Sequence, residues 1–165
     1  MSTELPQLRS LQRYITTHDE KGEAVFSKQL PEPLSMNLLS ADADIAQYNA
    51  DLASPPGLVI STGSVCRIVD FPPAAESPMH RTVSLDYGLV LEGEVELCLD
   101  SGEKRVLKRG DIAIQRATNH AWRNVTPGGE YARMLYVLLP CQPVEVQGLG
   151  VLGEVTEGMD VKASE

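Results

Sequence analysis

His80, His120 and Asp86 are the side chains of this sequence best suited to chemistry. An imidazole near its ordinary pKa serves as acid or base at neutral pH, and a carboxylate beside it fixes the tautomer and stabilises the imidazolium. Such a pair can remove a proton next to a carbonyl, expel water or move a double bond. On a strand, residues two apart share a face, so His80, Thr82, Ser84 and Asp86 look one way while Val83, Leu85, Tyr87 and Leu89 look the other. In a solvated strand nothing would favour imidazole on the polar face over Lys or Glu. A small barrel that keeps polar groups inside gives that alternation a purpose, with Thr82 and Ser84 as substrate-binding groups. Arg67 shares a strand face with Val65, Val69 and Phe71, and a guanidinium buried there needs an anionic partner from the protein or from a ligand. Arg67 and one histidine would also serve a decarboxylation, which needs a cation near the departing carboxylate and an acid to protonate the carbanion.

These groups must be positioned by strands. Gly and Pro recur at short intervals, and the segments between them are rich in Val, Ile, Leu and Tyr with period-two alternation, which predicts an all-β sandwich or barrel. Strands are expected at Val65–Phe71, Thr82–Leu91, Val95–Leu99, Arg105–Leu107, Ile112–Gln115, Ala121–Val125 and Ala132–Leu139, divided by turn sequences such as Asp100-Ser101-Gly102 and Arg109-Gly110-Asp111. Residues 13–18 and 24–27 flank Asp19-Glu20-Lys21-Gly22 and predict an N-terminal hairpin. Ser40 to Tyr48 predicts one short helix, stopped by Pro55-Pro56-Gly57. The face carrying Val83, Leu85, Tyr87 and Leu89 lacks polar residues and needs cover from the N-terminal hairpin or a second subunit. The organisation read from this is an N-terminal hairpin and helix (1–55), a barrel (56–140) and a C-terminal extension (141–165) with little to bury and a mobile end.

At 165 residues and 42% hydrophobic, the chain fits one domain with a core. A net charge of −9 and a thin scatter of Lys and Arg exclude a nucleic-acid partner. No apolar run reaches the length of a membrane span. Cys66, Cys98 and Cys141 are an odd number without CxxC spacing or a preceding signal peptide, which predicts reduced thiols in a cytoplasmic protein.

The stretch from Ala74 to Asn124 resembles the cupin family of double-stranded β-helix (jelly-roll) barrels. Of the motif G-x5-H-x-H-x3,4-E-x6-G, His80 stands at the first His, Thr82 at the second, Asp86 at the Glu and Gly93 at the closing Gly, while Ala74 replaces the opening Gly. Of G-x5-P-x-G-x2-H-x3-N, Gly110, His120 and Asn124 match, with Arg116 at the Pro, Thr118 at the Gly and one residue fewer before the His. The resemblance covers roughly Pro56 to Pro140. The wording of both motifs is similar, more narrowly, to small single-domain cupins of bacteria and of fungal secondary-metabolite clusters.

The resemblance implies that His80 and Asp86 share one inward face and that His120 enters from the opposite sheet. The three would then form a 2-His-1-carboxylate set of the type that leaves positions open on Fe(II) and also suits Mn, Ni or Zn. Thr82 in place of the second His removes one strong donor, so a metal-free site and a site with one divalent metal both stand. Asp86 could instead form a structural ion pair with Arg81 or Arg116. Trp122, on the His120 face, is a lid over the core or a stacking platform for an aromatic substrate. Arg116 and Asn124 are read as structural. The expected protein is a homodimer that takes a small organic substrate and catalyses a dehydration, decarboxylation or isomerisation in a natural-product pathway. The alternatives are an Fe(II) or Mn dioxygenase and a non-catalytic ligand-binding module.

Overall fold

The computed structural model describes residues 43–159 continuously, with Leu8, 16–18, Lys21, 24–26, 161, 162 and 164. Strands β1 (Thr16–His18) and β2 (Ala24–Phe26) pair antiparallel as the expected hairpin. Helix α1 (Ala43–Ala53) buries Ile45 and Tyr48, which lie three apart and so share one face. Pro55 and Pro56 end it, because neither can supply the N–H that another helical turn requires.

Seven strands follow: β3 (Val65–Phe71), β4 (Ser84–Glu92), β5 (Glu94–Leu99), β6 (Lys104–Lys108), β7 (Ile112–Arg116), β8 (His120–Asn124) and β9 (Ala132–Pro140). They form two antiparallel sheets, one in the order β3-β9-β4-β7 and the other β6-β5-β8. The protein is thus the expected all-β double-stranded β-helix, with one α-helix among the described residues. Between the sheets lie Phe71, Val90, Val95, Leu107, Trp122 and Met134, and burial of each such aliphatic or aromatic side chain contributes about 1.5–3 kcal/mol.

Along β4 the alternation is the one expected from the sequence. Ser84, Asp86, Gly88 and Val90 are buried, while Leu85, Tyr87 and Leu89 are not. Tyr87 pairs with Ile114 and Val137, and Leu89 pairs with Ile112 and Leu135, so apolar rows run across the outer face. Tyr87 is 40% exposed, Ile112 60% and Ile114 58%, which leaves this face substantially uncovered by the described residues.

Two loop geometries explain the motif positions. Ala74, where the family pattern has Gly, adopts φ 59°, the left-handed conformation a glycine would take more cheaply. Gly93 has φ 77°, and a Cβ there would lie 2.5 Å from Thr126 Oγ1 and 3.0 Å from Ala132 Cα. Asn124 is structural, as expected: its Nδ2 donates to the carbonyls of Phe71, Pro72 and Glu130, and its Oδ1 accepts from Thr126 N–H.

No described residue of the C-terminal extension is buried, yet the segment has regular structure. It contains a hairpin of β10 (Val144–Val146) and β11 (Gly150–Leu152), with Gly148 at φ 87° in the turn. Beyond it, Val155 and Arg81 exchange both backbone hydrogen bonds, at 2.7 and 2.8 Å. The three cysteines are free. Among the described residues no helix is long and apolar enough to cross a membrane.

Candidate active site

The two histidines come together through backbone pairing. Residues 76–80 run beside β8 as a further, irregular strand, with Glu76 opposite Arg123 and His80 opposite His120. His80 N–H donates to His120 O at 2.8 Å and His120 N–H to His80 O at 2.9 Å. Directly opposed residues project to the same side of a sheet, and the ring centroids are accordingly 4.4 Å apart. The chain then crosses to the other sheet before β4 begins at Ser84. This corrects the expected arrangement: His80 and His120 share one sheet, and Asp86 faces them from the other.

The tautomers are also set differently. His80 Nδ1 lies 2.9 Å from Pro78 O, and His120 Nδ1 lies 2.9 Å from Thr118 O. A carbonyl oxygen only accepts, so each Nδ1 carries a hydrogen and the bare nitrogen of the neutral ring is Nε2. Backbone carbonyls therefore do the orienting that the sequence reading gave to Asp86.

All three side chains line one cavity of about 260 Å³, with Arg67, Thr82, Gln115, Trp122 and Tyr136 among its other walls. Trp122 is 3% exposed, so it is an inner wall and no lid. Its ring meets His120 edge-on at 5.6 Å and Tyr136 at 5.6 Å. Ser84 is the exception among the expected binding residues. It is fully buried behind the wall and donates to Thr82 Oγ1 at 2.7 Å.

Asp86 is the most perturbed acid of the cavity. It is 5% exposed, the Thr82 hydroxyl donates to its Oδ2 at a long 3.5 Å, and Oδ1 is buried without a hydrogen-bond partner. Desolvation outweighs the Ser84 and Thr82 hydroxyls and pushes its pKa up to about 6. None of the ion pairs among the described residues includes it, so the structural pairing with Arg81 or Arg116 is not formed. Burial brings His120 down to about 4, against the Thr118 carbonyl that raises it and the neighbouring His80 that lowers it further. At neutral pH His120 is therefore an uncharged acceptor and a weak base.

The donor set does not fit a metal. Among the described residues no three His, Cys, Asp or Glu side chains stand together so as to hold one ion. As their side chains stand, His80, Asp86 and His120 do not form such a group. The imidazoles are neighbours in one sheet, Thr82 supplies a hydroxyl where the family pattern has imidazole, and Asp86 is engaged by that hydroxyl on the facing sheet.

Arg67 donates through Nη2 to Pro56 O at 3.0 Å and to Gly57 O at 2.5 Å. Sequence reasoning missed Gln115 and Tyr136. On β7 the inward residues are Ala113 and Gln115 while Ile112 and Ile114 face out, the reverse of the usual polarity. Tyr136 lies opposite Gly88, where a Cβ would come within 3.2 Å of its ring. The glycine in an otherwise bulky strand was the available signal for that close approach. The Tyr136 hydroxyl lies 3.0 Å from Met134 Sδ, and burial, aided by the Asp86 charge, holds its pKa well above the usual phenol value.

Comparison with known proteins gives a match of the cupin domain family to residues 67–138. Phomopsin biosynthesis cluster protein D of Diaporthe leptostromiformis is 45% identical over 95% of this chain and 93% of its own length. Oryzines biosynthesis cluster protein J of Aspergillus oryzae is 44% identical, covering 87% of this chain and 92% of that protein. A cupin-domain-containing oxidoreductase of Hypocrea virens is 40% identical over 87% of this chain and 83% of its own.

Proposed function

This chain belongs to the cupin family, and from that premise we propose that it is a small-molecule enzyme of a natural-product pathway, performing a lyase or isomerase step by proton transfer at Asp86. The observation that carries the reading is a carboxyl group with one oxygen unpartnered inside a largely apolar cavity, its pKa pushed up to about 6. Groups poised near working pH are the efficient acid and base catalysts. Two of the similar proteins are biosynthesis cluster proteins, which supports the pathway class.

In a dehydration, Asp86 takes the proton from a carbon next to a carbonyl and the electron pair forms the new double bond. The leaving hydroxyl then takes a proton back from Asp86 and departs as water. His80 and His120 accept hydrogen bonds at Nε2 and hold the substrate oxygens in register. The same proton movement without loss of water is an isomerisation.

The test uses the pathway intermediate that accumulates when the chain is inactivated, incubated with the purified protein with and without oxygen. The expected product has the mass of the substrate, or that mass less one water or one carbon dioxide, and forms equally under both conditions. Recovery of unchanged ligand would make the protein a binding module.

A second reading, an oxidoreductase, is favoured by the name of the Hypocrea virens relative. Product carrying an added oxygen atom, formed only in air, would replace the acid/base reading with this one.

The protein works in the cytoplasm as a homodimer paired through the outer face of β4 and β7. The support is the run of exposed apolar side chains there, Tyr87, Ile112 and Ile114, which a soluble monomer would rarely display. Sedimentation of the 18.0 kDa chain is expected to give twice that mass. Ile114→Glu is expected to give the single-chain mass, and a parent protein that sediments as one chain rejects the pairing.

A further inference from the structure

Gln115 is 4% exposed and lines the cavity, yet half of its amide is unused. The Thr118 hydroxyl donates to Oε1, and Nε2, the donor end, has no hydrogen-bond partner among the described residues. A buried polar group left unpaired costs the fold free energy unless something else satisfies it.

The register of β4 and β7 sets Gln115 directly opposite Asp86. Residues so opposed project to the same side of the sheet, with Cβ atoms about 5 Å apart. Asp86 Oδ1 is likewise buried without a partner. The two side chains are therefore neighbours with complementary free atoms that do not bond each other, since Thr118 holds the amide and the Thr82 hydroxyl donates to Asp86 Oδ2. The Tyr136 hydroxyl is also committed, at 3.0 Å from Met134 Sδ.

We propose that Gln115 Nε2 receives a carbonyl oxygen of the substrate and so places the adjacent C–H on Asp86, and that the site selects a small, largely apolar carbonyl compound. The inference rests on the acid/base reading of Asp86. When the C–H bond breaks, its proton passes to the Asp86 carboxylate and its electron pair becomes the carbon–carbon double bond of the enolate, while the carbonyl π pair moves onto the oxygen. An amide N–H aimed at that oxygen holds the enolate more strongly than the ketone, because the charge it faces has grown. Phe71, Trp122 and Leu138 supply apolar wall for the rest of the molecule. The volume of about 260 Å³ corresponds to roughly nine waters' worth of liquid, which admits a single ring with a short side chain.

Acetophenone has these features, with an enolisable methyl group beside its carbonyl, and ethylbenzene has the same skeleton without the oxygen. Each is titrated at pH 8 into the full-length protein and followed by the indole N–H resonance of Trp122, the chain's single tryptophan and a wall of the cavity. Gln115→Met, which keeps the length of the side chain and removes its donor, is expected to weaken acetophenone about tenfold and to leave ethylbenzene unweakened. Thr118→Val, which frees the amide to rotate, is expected to weaken acetophenone severalfold and again spare ethylbenzene. With acetophenone labelled at the carbonyl carbon, the bound carbon resonance is expected to move upfield in Gln115→Met, because the oxygen has lost its hydrogen bond. Parental acetophenone affinity in Gln115→Met, equal weakening of both ligands, or a carbonyl resonance that stays where it is in the parent overturns the assignment. If Gln115→Met does not fold, Thr118→Val carries the test, and parental acetophenone affinity there overturns it. A parent protein that does not bind acetophenone overturns the ligand class. The oxygen test above separates the two failures: added oxygen in the product removes the acid/base reading however the probes bind, and binding indifferent to Gln115 removes this inference however the product forms.

Discussion

Asp86→Asn is expected to lower kcat by roughly a hundred- to ten-thousandfold and, in the same protein, to make the fold more stable at neutral pH. The first effect follows from removing the group that moves the proton in the proposed reaction. The second follows from burial. The carboxyl has a folded pKa of about 6 against an ordinary value of 3.8, so holding it ionised costs the native state roughly 3 kcal/mol above that range. The sign is that of a raised acid: the penalty is complete above about pH 6 and vanishes as pH falls through 3.8. The amide carries no such penalty, so urea denaturation at pH 8 is expected to show the variant as the more stable protein.

His120 sharpens the comparison. Its folded pKa of about 4 lies below the ordinary 6.5, so the unfolded chain takes up a proton first and stability falls as pH drops from 6.5 towards 4. In the parent, Asp86 and His120 oppose one another between pH 4 and 6 and their slopes offset. In Asp86→Asn only the histidine slope remains, and the variant should lose stability across that interval while the parent changes little. A variant that is inactive and also less stable at pH 8 would show Asp86 to be a structural residue.

His80→Ala and His120→Ala are each expected to lower kcat/KM by about a hundredfold or more. The double variant should be little worse than either, because rings 4.4 Å apart that hold one substrate act as a unit. The pH profile discriminates between roles. If Asp86 is the titrating base, kcat rises with pH through about 6 in the parent, and the residual activity of His120→Ala keeps the same rise. The causes of the Asp86 shift are its own desolvation and the Ser84 and Thr82 hydroxyls, with no direct contribution from the His120 ring. Loss of that limb in His120→Ala, with circular dichroism unchanged, would transfer the proton step to the imidazole.

The alternation of β4 was legible because side-chain direction along a strand is a local property: Ser84 and Asp86 turn in, Leu85 and Tyr87 turn out, whatever the strand pairs with. The turns fell where Gly and Pro require them, and Asn124 could be read as a brace. Ser84 was misplaced for the same local reason, since sharing a face with Asp86 does not say which residue reaches the open space and which stands behind it. The pattern of β7 was ambiguous in the sequence, because its isoleucines face outward and its glutamine inward.

By itself, then, the sequence determined the class of fold, the two histidines and carboxylate as the candidate groups, and the apolar outer face, all of which follow from residue type and a period of two. Only the tertiary structure decided that His80 pairs with His120 in one sheet and confronts Asp86 across the cavity, since the crossing after His80 is settled by backbone partners far away in the chain. It also decided which group has its pKa brought towards neutral pH. Desolvation depends on everything packed around a side chain, and here it lifts Asp86 towards neutrality and takes His120 out of the titration range, the reverse of their ordinary order.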